Sequence, residues 1–267
     1  MQPATLAWLE ALNEVYTNGE EYAPRGMRTK ELLSFTSAID MRFPVVHIPE
    51  RKMGFKFMSA EAAWILSGDN RVETIKPFSR DIANFSDDGV FFHGAYGPQV
   101  IEQLSYICRI LSEDQDTRQA VMTIWRKNPG QTKDVPCTVA VQWLIRDGQL
   151  HCVDTMRSSD LWLGWPYDVF NFSMLSYYIR SFLQYYQGIE VEIGNLYLVA
   201  GSQHIYERNF KDVEDIVHEY LSEDTFTTPP EAVDVTRQLY PLTPQELVDR
   251  LWEVSREGQG ALDLIGA

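Results

Sequence analysis

Cysteine, basic charge and long apolar runs are all scarce in this sequence. Cys108, Cys137 and Cys152 are the three cysteines in 267 residues. Their number is odd and they form no CxxC pair, so neither a disulfide framework nor a zinc knuckle is supported. No apolar run approaches the roughly 18–20 residues that a membrane helix needs. Met1–Asn18 also lacks the basic start and apolar stretch of a secretion signal, so a cytoplasmic chain is expected. Lys and Arg total 23 against 38 Asp and Glu, a formal charge of −15. That balance repels nucleic acid, although a few arginines in one pocket can still hold a small phosphate. GxxxxGK, GxGxxG after a strand and HExxH are absent, and no motif supports a bound metal.

What is present reads as a folded domain. Hydrophobic residues make up 45% and aromatics 12%, enough for a large core. Leu6, Leu9, Leu12 and Tyr16 predict a helix within Met1–Asn18. Leu32–Pro44 reads as a strand and turn, and Ser59 as the cap of a helix that carries Glu61, Trp64 and Ile65 and is stopped by Gly68. Thr74–Gly97 looks like a long loop, followed by a helix from Gln99 to Leu111. Ala120–Trp125, Thr138–Ile145 and Gln149–Met156 read as strands, the last two joined by the turn pair Asp147-Gly148. Val169–Tyr186 carries the stripe of a buried helix ended by Gly188, and Val191–Val199 is a further strand. Thr243-Pro244-Gln245-Glu246 is a capping box opening a last helix. These elements predict an α+β fold with a sizeable sheet and a single domain spanning residues 1–267.

A few polar residues stand where a core would not need them. Cys137 follows Pro136 at the start of a strand. A free cysteine is most often a small core residue, but a nucleophile at a strand edge needs a nearby cation. Arg157 is that candidate, because the hairpin brings the end of the next strand back to Cys137. Met156-Arg157-Ser158-Ser159-Asp160 is either a polar loop or a phosphate grip, since Arg plus a serine hydroxyl suits an anion. His204 and Tyr206 share one face if extended, a pair that is more often structural. Glu61 lies in an apolar helix segment, where an unpaired carboxylate would be costly; it must be paired, exposed or catalytic.

Taken together, Asp134-Val135-Pro136-Cys137, Gln142, the run from Met156 through Leu161-Trp162-Leu163-Gly164-Trp165-Pro166-Tyr167 to Asp168, and His204-Ile205-Tyr206 resemble the thymidylate synthase superfamily. The order and separations match from about Arg28 to Phe210. The resemblance implies a large mixed sheet flanked by helices, with one sheet face forming a homodimer interface. It implies that Cys137 attacks carbon 6 of a pyrimidine nucleoside monophosphate. Carbon 5 then captures a one-carbon unit from 5,10-methylenetetrahydrofolate. Arg28, Arg157 and Ser158 would hold the 5′-phosphate, with Arg118 reaching in from the second subunit. Glu61 would organise water and move protons, and Tyr96 would assist loss of the carbon 5 proton. Gln142 would contact the nucleotide, His204 and Tyr206 the sugar, and Asp160 and Trp64 the folate.

The departures from the synthase pattern carry the finer expectation. Where synthases have Asn in Pro-Phe-Asn, this chain has Asp168 in Pro-Tyr-Asp. An ionised carboxylate has no donor for the carbonyl oxygen of uracil, but it accepts from the amino group of cytosine. Protonation of ring nitrogen 3 would add a second, charge-assisted bond. Ser202 replaces the synthases' Asp and Thr138 their His. Ile82-Ala83-Asn84-Phe85 lacks the expected Trp, which would admit water near carbon 5. Arg118-Gln119 replaces an Arg-Arg pair, leaving one phosphate grip missing or supplied by Arg126 or Lys133. The C-terminal Leu-Ile-Gly-Ala differs from the tail that closes synthase sites. The expectation is a cytidylate 5-hydroxymethyltransferase, closest to the CMP hydroxymethylases of antibiotic biosynthesis. The alternatives are a dCMP hydroxymethylase, a synthase acting on dUMP, and a nucleotide-binding module without chemistry.

Overall fold

A computed structural model describes residues 1–221 and 231–266. Its strands are β1 (Glu20–Tyr22), β2 (Thr29–Asp40), β3 (Val121–Thr123), β4 (Thr138–Arg146), β5 (Gln149–Met156), β6 (Ser159–Asp160) and β7 (Glu192–Tyr206). Its helices are α1 (Ala4–Asn18), α2 (Phe55–Leu66), α3 (Val72–Ile75), α4 (Gly97–Glu113), α5 (Trp165–Gln187), α6 (Phe210–Leu221), α7 (Thr236–Leu239), α8 (Pro244–Arg256) and α9 (Ala261–Ile265). The strands form one mixed sheet in the order β1-β2-β7-β5-β4-β3, with β6 beside β7. The β5–β7 and β6–β7 pairs are parallel and the others antiparallel.

Local chemistry accounts for the parts that frame the site. The β4–β5 turn places Asp147 at φ 51° and Gly148 at φ 73°, the left-handed pair that a two-residue hairpin needs. β7 runs longer than its apolar stretch predicts, through Gly201 to Tyr206, because β2 pairs with almost its whole length. A side chain at Gly201 would place its Cβ 3.0 Å from Arg157 O. Glycine there lets the segment after β5 run close against β7. α5 is buried on nearly every side and ends at Gly188 in the left-handed region, as expected for a central helix lying on the sheet. The Thr243 hydroxyl and the Glu246 side chain complete the capping box of α8.

α2 departs from expectation. It begins at Phe55 behind Gly54, and Ser59 lies a full turn inside with its hydroxyl buried and unpartnered. The Phe57 ring packs edge-on against Tyr167 at 5.3 Å. That packing extends the helix backwards past the serine, a tertiary override of a local cap signal.

The core lies between the sheet and α1, α2 and α5, with Trp8, Trp143, Trp165 and Phe170 fully buried. The opposite sheet face is half-covered at Leu144, Val153, Tyr197 and Val199, and on β2 Leu33 is 71% exposed. The C-terminal α9 packs on α2. No helix among the described residues is long and apolar enough to cross a membrane.

Candidate active site

The start of β4 and the end of β5 are tied together through one arginine. Arg157 donates its backbone N–H to Cys137 O at 2.8 Å, Nε to Pro136 O at 2.8 Å and Nη2 to Val135 O at 3.0 Å. Nη1 donates to Ser158 Oγ at 2.9 Å. The Cys137 sulfur then lies 3.7 Å from Arg157 Nη2 and 3.9 Å from Ser158 Oγ. The hairpin thus places the cation beside the thiol, as the sequence predicts. Burial still pushes the Cys137 thiol up overall; Arg157 and the Ser158 hydroxyl pull it down, and Asp168 and Asp160 push it further up. In this pocket burial therefore outweighs the cation and favours the thiol over the thiolate.

Next to it is a cavity of about 170 Å³ whose wall includes Glu61, Trp64, Phe92, Tyr96, Asp134 and Asp168. Glu61 projects from α2 into this space and accepts from Asn171 Nδ2 at 2.8 Å. Burial raises its carboxyl to about 7, and the Asn171 bond opposes that rise. Asp168 sits in the first turn of α5. Burial, then Glu61 and Asp160, push its carboxyl well above the usual range. Burial thus favours its protonated form over the ionised form considered from the sequence. A neutral carboxylic acid carries both a donor and an acceptor. The Tyr96 hydroxyl accepts from the Thr138 backbone N–H at 3.2 Å, and its ring stacks on Phe172 at 6.2 Å. Burial raises its phenol well above the ordinary value.

The remaining candidates fall into two groups. Trp64 lines the cavity with its ring edge-on to Phe92 at 5.6 Å and its indole N–H unpartnered. Asp160 accepts from the backbone N–H groups of Trp162 and Leu163 at 2.8 and 3.1 Å, so its carboxylate shapes the turn into α5. His204 and Tyr206 follow on β7 with their rings 5.2 Å apart, and β6 pairs Asp160 with His204. Arg28 makes ion pairs with Glu21 and Glu207. Gln142 Nε2 donates to Arg118 O at 2.8 Å, on the sheet face turned away from α5. Neither Gln142 nor Arg118 is brought to Cys137 within the single chain.

Three polar residues near the site escape a motif-based reading. Asp134 belongs to the Cys137 motif, yet its side chain lines the cavity and accepts from Gly94 N–H at 2.7 Å. Asn171, on α5, binds Glu61 and leaves its Oδ1 buried and unpartnered. Asp154 is wholly buried on β5 with both oxygens unpartnered. Burial and then Asp168 push Asp154 well above the usual carboxyl range, and the Thr138 hydroxyl opposes that rise. Strand alternation signals Asp154, since Leu150, Cys152 and Met156 share its inward face. Among the described residues no cluster of His, Cys, Asp and Glu has the arrangement to hold a metal ion.

Comparison with known proteins agrees with this geometry. The family model described as thymidylate synthase matches residues 6–237. A deoxyuridylate hydroxymethyltransferase of Bacillus phage SP01 is 30% identical over 243 residues, covering 81% of this chain and 61% of the relative. A protein of the same name from Pseudomonas phage M6 is 33% identical over 168 residues, covering 59% of this chain and 46% of the relative. The chain thus spans 61% and 46% of the lengths of these two phage proteins. A thymidylate synthase of Buchnera aphidicola subsp. Baizongia pistaciae is 23% identical over 223 residues, 78% of this chain and 81% of the relative. With the match running through α1, the whole sheet, Cys137 and Arg157, the chain belongs to the thymidylate synthase family.

Proposed function

We propose that this chain is one catalytic domain that transfers a hydroxymethyl group to carbon 5 of a cytidine nucleoside monophosphate, CMP before dCMP. The observation that carries the choice of base is Asp168, a carboxyl on the cavity wall whose protonated form burial favours. Its O–H can donate to ring nitrogen 3 of cytosine while its carbonyl oxygen accepts from the amino group. As the Cys137 thiolate bonds to carbon 6, electron density moves onto nitrogen 3, and the Asp168 proton follows it. The resulting carboxylate then faces two N–H donors, a pairing that strengthens in the transition state. A second reading, deoxyuridylate, is favoured by the names of the two phage relatives. The neutral acid can pair with uracil as well, but it must then protonate a less basic oxygen.

Arg157 and Ser158 hold the phosphate and keep the sulfur near a cation. Tyr96 takes the carbon 5 proton, Glu61 relays protons, and His204 and Tyr206 bind the sugar. The cavity suits the ring of a reduced folate, since Trp64, Phe92 and Ile82 give it apolar walls. 5,10-methylenetetrahydrofolate supplies the one-carbon unit at the oxidation level of formaldehyde. Asp160 and Trp64 would hold it. The half-covered apolar sheet face supports a homodimer, with Arg118 reaching the partner's phosphate site.

The test is Asp168→Asn. An amide lacks the transferable proton, so turnover of CMP relative to dUMP should fall by about 100-fold or more, in the range that mispaired buried groups produce. An unchanged ratio would remove the role given to Asp168.

A further inference from the structure

Hydroxymethylation needs a group that the transfer of a one-carbon unit does not itself require: a base that draws a proton from water as it adds to the carbon bound at carbon 5. In the reading above Glu61 serves the proton relay, paired with Asn171, and Asp168 serves the pyrimidine edge. Asp134 is the third carboxyl on the cavity wall. It lies three residues before Cys137, and its Oδ2 accepts the backbone N–H of Gly94, two residues before Tyr96. Asp134 therefore bridges the segment that carries the thiol acting at carbon 6 and the segment that carries the phenol acting at carbon 5. The fit is close: a side chain at Gly94 would place its Cβ 2.9 Å from Asp134 Oδ1 and 2.4 Å from Asp134 O.

Resting on the cytidylate reading, we propose that Asp134 is the catalytic base that activates water for addition at the nucleotide's exocyclic methylene. One O–H bond of water breaks and its proton passes to Asp134. The oxygen bonds to the methylene carbon, and the displaced π pair moves to carbon 5. The carbon 5–carbon 6 double bond re-forms as the bond from carbon 6 to sulfur breaks, and Cys137 leaves as thiolate. The proton on Asp134 returns to the thiolate through solvent. No oxidant or reductant is consumed. Burial holds the Asp134 carboxyl above its ordinary value, the backbone N–H of Gly94 opposes that rise, and Asp87, His93 and Arg126 are the charged groups that act on it.

The test uses Asp134→Asn, which keeps an oxygen for the Gly94 N–H and loses the base. Three products are followed with CMP and 5,10-methylenetetrahydrofolate: hydrogen released from carbon 5, the hydroxymethyl nucleotide, and a thioether formed with added 2-mercaptoethanol. Hydrogen release without folate is measured in parallel. Asp134→Asn should leave hydrogen release within a few-fold of the parent while the hydroxymethyl yield per release falls about 100-fold, the contribution typical of a positioned base. The thioether should rise in its place, and Asp134→Glu should recover part of the hydroxymethyl product. If Asp134→Asn does not fold, Asp134→Ser carries the same prediction. Hydroxymethylation at the parent rate, or release and product falling by one common factor, would overturn the role of Asp134. A parent enzyme that hydroxymethylates dUMP and not CMP would instead overturn the cytidylate reading. A parent that hydroxymethylates neither would overturn both.

Discussion

Replacing Asp154 by Asn should stabilise the protein, and the gain should grow with pH. Asp154 is 0% exposed and neither oxygen has a partner. An unpaired charge there would cost several kcal/mol, so the folded state keeps the proton instead. The unfolded chain releases it near pH 4. A carboxyl raised in the folded state therefore subtracts stability as pH climbs above that value, by ~1.4 kcal/mol per unit for as long as the folded group stays protonated. Between about pH 5 and pH 7 the Asn variant should therefore gain on the parent as pH rises, because a neutral amide carries no such slope. Glu61 keeps its own slope in both proteins, so the difference reports Asp154 together with its coupling to Asp168. Urea denaturation at the two pH values reads it directly, from midpoints at equal m. A difference that does not change with pH would mean that Asp154 is ionised or paired in the fold, and the reasoning would fail.

Glu61→Gln should separate stability from activity. With its carboxyl near 7 in the fold, the parent gives up roughly 3 kcal/mol by neutral pH that the amide retains. The variant should melt higher at pH 8 yet lose the inflection near pH 7 in its rate profile; a surviving inflection would assign that titration to another group. Mixing inactive Arg118→Ala and Cys137→Ser subunits tests the shared site. If Arg118 acts across the interface, random re-pairing should restore about a quarter of the parent's sites. No recovery after confirmed subunit exchange would confine Arg118 to its own subunit.

How far the site was legible in sequence depended on whether local rules determine each contact. The Cys137–Arg157 pairing followed from one turn, because Asp147-Gly148 fixes the register of β4 against β5. α5 and its glycine stop were readable from apolar spacing, and the α8 cap from its four residues. Ser59 misled because packing of Phe57 on Tyr167 decides where α2 starts. The raised carboxyl of Asp168 was not readable, since it depends on burial in the folded chain, on Glu61 from another helix and on Asp160. Asp134 looked like part of a motif, and its fold-specific neighbour, Gly94, is 40 residues away. Arg28 fits the motif, yet Glu21 and Glu207 hold it through the β1–β2 and β2–β7 pairings.

Product mass tests the central claim most directly. The protein is incubated with tetrahydrofolate, formaldehyde and CMP, dCMP or dUMP in separate reactions. The account predicts a gain of one CH₂O on CMP, slower gain on dCMP, and little on dUMP. A gain of CH₂O on dUMP alone would contradict the part assigned to Asp168. A gain of only CH₂ on dUMP would mean reduction in place of hydration, and the proposed chemistry would be wrong.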